Sequence, residues 1–134
     1  MRRQFELPAA DVGYLDARGF QWETVVEGGG RWLIIGNFPV PSGYHQHPTV
    51  AAAIQITNGY PDAALDMVYF APFITRVDGG AIGATDSRLT LDGREWQRWS
   101  RHYTAENPWR VGDDDVSVHI QLIEDWLARE FRKA

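Results

Sequence analysis

The residues best suited to chemistry lie in the segment 93–110, which reads G-R-E-W-Q-R-W-S-R-H-Y-T-A-E-N-P-W-R. Within it, Ser100 and His102 form the most plausible pairing of a nucleophilic hydroxyl with a general base. If the backbone is extended here, residues two apart lie on the same face. Arg98 or Arg101 would then stabilise an oxyanion, and the predicted chemistry is acyl transfer to oxygen. The competing interpretation is chance proximity, because exposed serines commonly lie near histidines.

The same segment is rich in tryptophan and arginine, the residue types that dominate interface hot spots. It holds Trp96, Trp99 and Trp109, three of the six tryptophans in the chain, and ends at Arg110. These residues favour a surface that binds a protein partner. The structural alternative is that Trp96 and Trp99 belong to the core with arginines stacked over them, and for these two rings we expect burial rather than ligand contact.

Single-stranded nucleic acid is a third interpretation of the segment, because aromatic rings interleaved with arginine suit base stacking. Charge argues against it. The net charge is −5, with +2 in residues 88–110 and −7 in the remainder. Most of the molecule should therefore repel nucleic acid, while one patch remains able to hold an anion.

The 134-residue chain contains no cysteine. Disulfides, thiolate metal sites, iron–sulfur clusters and thiol catalysis are therefore all excluded. His45-Gln46-His47 would suit a metal ion if extended, with Asp62 or Asp66 as further ligands. We prefer exposed loop histidines, because no partner lies nearby in sequence, and we predict neither a metal site nor a cofactor.

The pattern of apolar residues predicts an α+β fold in a single domain over residues 1–134. The first helix is expected at 8–18 and the last begins at the acidic cap Asp113–Asp115 and continues to Lys133. A four-stranded antiparallel meander fills the space between them. The stretch from Thr75 to Asp92 is expected to form an ordered loop or a small hairpin. With no membrane-length apolar run and no signal-peptide pattern, we expect a cytoplasmic protein. The predicted strands cover residues 20–26, 32–35, 49–57 and 66–70.

This order of elements resembles the ubiquitin-conjugating (UBC-like) fold over residues 8–132. Gly59-Tyr60-Pro61 and the strand 66–72 resemble the family's Tyr-Pro…Pro-x-Val-x-Phe passage, and Asn107-Pro108-Trp109 resembles the tryptophan segment before its penultimate helix. The string W-x-x-W-S-R-H at 96–102 is similar to a bacterial branch, prokaryotic family E. Members of that branch occur beside ubiquitin-like proteins, activating enzymes and JAB-type peptidases.

The chain departs from the classical enzymes at the positions that carry their chemistry. The resemblance places a catalytic cysteine near Trp96, where this sequence has none, and the His-Pro-Asn tripeptide is replaced by T-R-V-D-G-G at 75–80. A thioester requires a thiolate that is both a good nucleophile and a good leaving group. Thioester transfer is therefore excluded by composition.

Two functions remain under the resemblance. The favoured one is a non-catalytic UBC-like module that binds a ubiquitin-like protein or its activating enzyme, with a JAB-type peptidase as a further predicted partner. The alternative is a transferase that forms an oxyester on Ser100 with His102 as base and Arg101 beside the oxyanion, so the sequence leaves open whether the protein is an enzyme. The predicted partner-binding residues are Tyr60, Pro61, Asp62, Trp96, Arg98, Trp99, Trp109 and Arg110.

Overall fold

The computed structural model describes residues 1–132 and shows a mixed α+β protein built around one curled, antiparallel sheet. The fold confirms the expected UBC-like organisation of a short first helix, a sheet and a long last helix. Among the described residues, no helix is both long and apolar enough to cross a membrane. In chain order the elements are α1 (Ala9–Ala17), β1 (Trp22–Glu27), β2 (Gly30–Pro39), β3 (Thr49–Ile56), β4 (Val68–Ala71), β5 (Arg88–Leu91), β6 (Arg94–Trp99) and α2 (Val116–Arg129), followed by a 3₁₀ turn at Glu130–Arg132.

The sheet has a hydrophobic core on each face. Because successive side chains of a strand point to opposite faces, the central strands must be apolar at nearly every position. In β4, Val68 and Phe70 belong to the core beneath the helices, whereas Tyr69 and Ala71 belong to the second core on the other face. This double requirement explains why the central strands read as continuous apolar runs.

The predicted meander accounts for β1 to β4, but the sheet has six strands, in the order β1-β2-β3-β4-β6-β5. β5 and β6 form a hairpin whose two-residue turn is Asp92-Gly93. Both turn residues have a positive φ, 54° and 73°, as a tight hairpin of this kind requires. β6 also pairs with β4, so the first part of the tryptophan segment, Arg94–Trp99, is an interior strand of the sheet. The Asp-Gly pair is the sequence signal for this hairpin.

α2 begins where the acidic cluster predicts. Asp115 is its N-cap, and the carboxylate accepts hydrogen bonds from the backbone N–H of Ser117 at 2.9 Å and of Val118 at 3.3 Å. The regular helix ends at Arg129, so Phe131 is not part of its buried face. The Phe131 side chain is 38% exposed and packs against the ring of Tyr44. Lys133, at the end of the predicted helix, lies outside the described residues. The residues of α2 that are buried are Val116, His119, Ile120, Ile123, Trp126 and Leu127.

An ion network joins the two ends of the curled sheet. The Arg2 guanidinium donates to Glu23 of β1 at 2.8 Å and to Asp92 in the β5–β6 turn at 2.7 and 2.8 Å. The backbone N–H of Asp92 also donates to the Glu27 carboxylate, at 3.1 and 3.2 Å. These bonds hold the hairpin turn against β1 and close the curl over the second core.

We expect Arg2→Ala to reduce the free energy of unfolding at neutral pH by about 1 kcal/mol or less, since the network is partly exposed. Hydrogen bonds from Arg2 lower the pKa of Asp92 from its ordinary 3.8 and of Glu23 from 4.5. Their stabilisation is therefore full above those ordinary values and is lost as the pH falls through the lowered ones. Urea unfolding at pH 7 and below pH 4 measures the difference. A deficit of equal size at both pH values would show that the ion pairs do not stabilise the closure.

Candidate functional site

Trp96 and Trp99 are buried on opposite faces of β6. Residues three apart on a strand point to opposite sides, so Trp96 enters the second core and Trp99 the core beneath the helices. Only 1% of Trp96 and 0% of Trp99 is exposed, and the indole N–H groups donate to Leu91 O at 2.9 Å and to Gln97 Oε1 at 2.8 Å. The structure confirms the expected burial, and these two rings form no part of the accessible surface.

Two arginines of the segment are engaged inside the molecule. Arg98 donates to the hydroxyls of Ser100 at 3.1 Å and of Ser87 at 2.9 Å. Arg101 donates to Gly83 O at 2.9 Å, and its guanidinium lies 4.9 Å from the ring centre of Trp99. Both side chains fasten the loop before β5 onto β6, so Arg98 is a structural anchor as well as a predicted contact residue.

Ser100 and His102 have different partners. Ser100 Oγ accepts from Arg98, whereas His102 Nδ1 lies 2.8 Å from Asp66 Oδ1. Within residues 1–132, no hydrogen bond links Ser100 to His102. The chain is not extended here, because the N–H of Arg101 donates to Trp99 O at 3.0 Å and places Ser100 at the centre of a three-residue turn. The geometry that predicted a nucleophile and base therefore does not apply to this pair.

Arg101 and His102 instead lie beside a cavity of about 370 Å³ at the end of α2. Trp126, Arg129 and Arg132 complete its lining. Arg129 pairs with Asp125 one turn earlier at 2.8 Å, and Arg101 reaches Glu130 at 3.4 Å. Two of the three guanidinium groups around this opening are therefore paired with carboxylates, so the opening carries charges of both signs.

The Tyr-Pro-Asp turn at 60–62 and the loop that carries Trp109 meet on the surface, although Pro61 and Trp109 are 48 residues apart in sequence. The Trp109 indole N–H donates to Pro61 O at 3.0 Å, and the Trp109 and Tyr60 ring centres are 6.3 Å apart. Pro61, Asp62 and Arg110 are exposed, while Tyr60 and Trp109 are partly buried. We call this set, Tyr60, Pro61, Asp62, Trp109 and Arg110, the Tyr60–Trp109 surface. Five of the eight predicted contact residues are therefore neighbours.

A partly buried chain of hydrogen bonds supports that surface. The Tyr60 hydroxyl donates to Asp11 Oδ2 at 2.7 Å and accepts from the N–H of Val116 at 2.8 Å. Asp11 is only 1% exposed, and burial raises its pKa while the bond from Tyr60 opposes the shift. The chain ties α1, the Tyr-Pro-Asp turn and the start of α2 together, so the Tyr60–Trp109 surface has a rigid base.

His119 is a buried polar residue whose role the sequence does not reveal. It is 0% exposed; its Nε2–H donates to Met67 O at 2.8 Å, and Nδ1 accepts from the Tyr103 hydroxyl at 2.8 Å. Met67 has a left-handed backbone with φ 55°, which is why β4 starts at Val68 and not at Asp66 as predicted. His119 is thus a structural residue that holds this turn.

The two loop histidines are held by separate partners. His47 Nδ1 donates to Val40 O at 2.7 Å, whereas His45 Nδ1 lies 3.0 Å from Thr75 Oγ1. Among the described residues, no group of three or more histidine, aspartate or glutamate side chains is arranged to hold a metal. Asp66, one of the proposed further ligands, pairs with His102.

The fold and the exposed turn define an E2-like protein of the UBC class. The model of prokaryotic E2 family E matches residues 7–130, and the chain belongs to that family. Neither the curated proteins nor the solved structures provide a significant match. Family membership connects the chain with ubiquitin-conjugation-like systems in general terms, and this member has no cysteine.

We expect the stability of the protein to fall between pH 7 and pH 5 because of His119. Burial lowers the pKa of His119 from its ordinary 6.5 to about 4. Below pH 6.5 the unfolded chain therefore binds a proton that the folded chain does not, and folding loses about 2 kcal/mol by pH 5. His119→Gln keeps a donor for Met67 O without titrating. Its urea midpoint should change less over this range than that of the wild type. A wild-type loss no larger than that of His119→Gln would contradict the assignment.

Proposed function

We propose that this protein acts mainly by binding, as a cysteine-less E2-like protein that recognises a ubiquitin-like protein, its activating enzyme, or both. The observation that carries the proposal is the absence of cysteine from a chain that belongs to an E2 family. Without a thiolate the chain cannot form a thioester, whereas a binding surface requires none. A JAB-type peptidase is a further candidate partner, because such peptidases occur beside the family members that this chain resembles.

The Tyr60–Trp109 surface is the proposed contact site. It combines an exposed proline, two aromatic rings and an exposed arginine, which are features of interface hot spots. Its aromatic rings are supported by Asp11 and Tyr103, so binding requires little ordering of side chains. Trp96 and Trp99 contribute by holding β6 in place and not by contact.

The two alternatives have less support. An oxyester on Ser100 requires a base within reach of its hydroxyl, but His102 is directed to Asp66. Stacking of single-stranded nucleic acid requires exposed rings, and two of the three tryptophans in the segment are buried. Both considerations favour protein binding.

Binding is tested by calorimetry with the ubiquitin-like protein and with the activating enzyme from a system that encodes a family E protein. We expect Trp109→Ala to weaken binding roughly 30-fold, as truncation of a hot-spot tryptophan commonly does. Arg110→Glu should weaken it several-fold with no loss of packing, because its side chain is exposed. Arg88→Glu, the same charge change on the edge strand β5, should leave the affinity unchanged.

Circular dichroism of each variant separates loss of binding from loss of fold. If Arg110→Glu and Arg88→Glu are equally harmless, the partner does not contact the Tyr60–Trp109 surface. If neither partner binds the wild-type protein, the proposed function is wrong.

A further inference from the structure

A second hydroxyl–imidazole pair lies outside the segment that the sequence singles out. Thr75 Oγ1 is 3.0 Å from His45 Nδ1, and the backbone N–H of His45 donates to Thr75 O at 2.9 Å. A short antiparallel bridge between Tyr44 and Arg76 aligns the two chains, and the N–H of Val77 donates to Gly43 O at 2.8 Å. The side-chain contact is therefore placed by paired backbone.

Gln46 also binds Thr75, through both atoms of its side-chain amide. The backbone N–H of Thr75 can only donate, so the Gln46 atom 2.8 Å from it is the carbonyl oxygen Oε1. The amide nitrogen Nε2 is then the atom that lies 3.2 Å from Thr75 Oγ1, and it donates to that oxygen. Thr75 Oγ1 keeps its own proton to donate, and in the His45 tautomer that is protonated on Nε2 this proton goes to His45 Nδ1. The pair has the arrangement of a nucleophile hydrogen-bonded to its base.

The pair borders an open cavity of about 560 Å³. His45, Thr75, Gly79, Gly80, Ile82 and Asp86 are part of its lining. The adjacent loop is fixed, because Arg76 Nε donates to Asp78 Oδ1 at 2.9 Å and the N–H of Gly80 donates to the same oxygen at 2.8 Å. Both Thr75 and His45 are exposed to solvent and accessible from the cavity.

We infer that Thr75 is an acyl-accepting nucleophile with His45 as its general base, for activated acyl groups such as thioesters and aryl esters. Oγ1 attacks the acyl carbonyl carbon, and its proton passes to His45 Nδ1. The bond from carbon to the thiol or phenol leaving group then breaks, and that group takes the proton from His45. The product is an ester on Thr75. Use of a ubiquitin-like protein's activated carboxyl end as the donor rests on the proposed function, whereas the reactivity itself does not.

The reactivity is tested with p-nitrophenyl acetate and the full chain. We expect a stoichiometric burst of p-nitrophenol and an acetyl group that peptide mass spectrometry locates on Thr75. Thr75→Val, which keeps the side-chain shape, should abolish the burst, and Thr75→Ser should retain it. His45→Asn should slow acylation roughly tenfold or more, in line with loss of a general base. Thr90→Val, an exposed threonine of β5, is the matched control and should react like the wild type.

No burst, or an acetyl group on Ser100 or elsewhere in place of Thr75, would overturn the inference. A second experiment supplies the ubiquitin-like protein as a thioester on its activating enzyme. A hydroxide-labile, thiol-stable adduct that disappears in Thr75→Val would support this donor, and its formation in Thr75→Val would exclude Thr75 as the acceptor. If Thr75 is acetylated but the protein binds neither partner, the inference that Thr75 is a nucleophile is supported and the proposed function is wrong.

Discussion

The structure depends on one strand that must fill two cores at once. β6 lies between β4 and β5, and it sends Trp96 to one face of the sheet and Trp99 to the other. Burying an aromatic side chain of this size is among the larger single contributions to folding. The bonds from Trp96 to Leu91 and from Trp99 to Gln97 fix the orientation of both rings. Gln97 in turn accepts from the N–H of Ile74, so the same strand also positions the chain leading into Thr75.

This constraint determines which part of the molecule remains available for recognition. The tryptophan segment is chemically rich in sequence, but its first half is committed to the interior. What reaches the surface is its second half, where Trp109 meets Pro61 and Arg110 is exposed. The chain that follows β6 lines the cavity near Arg129, and the chain that precedes β5 lines the cavity beside Thr75.

Local signals predicted much of the fold. The pattern of apolar residues identified β1 to β4, and Asp115 caps the helix where acidic residues predict a start. β6 was not predicted, because Trp96 and Trp99 are three residues apart and so do not fit the alternation of a strand with one buried face. Only the paired sheet shows that both faces of this strand are buried. Burial of these two rings was predicted correctly, since large apolar side chains rarely stay in water in a small domain.

The site was harder to predict, because its contacts join distant parts of the chain. The spacing of Ser100 and His102 suggested a pair only under the assumption of an extended backbone, and a tight turn removes it. The proximity of His45 to Thr75 depends on a backbone bridge across 30 residues, which no local motif encodes. The resemblance to a known family predicted the class of fold. It also showed that the chain keeps this fold while lacking the catalytic cysteine of the classical enzymes.

The N-terminal residues also have a consequence for how copies of the protein meet. β1 is an edge strand, and the open hydrogen-bonding groups of such an edge can recruit another chain. Here the first residues lie along it: Gln4 donates to Thr24 O at 2.9 Å, and the N–H of Thr24 donates to Arg2 O at 3.1 Å. At the opposite edge of the sheet, the β5–β6 turn lies against β1, because the N–H of Asp92 donates to Glu27. The curl that encloses the second core therefore also discourages edge-to-edge association.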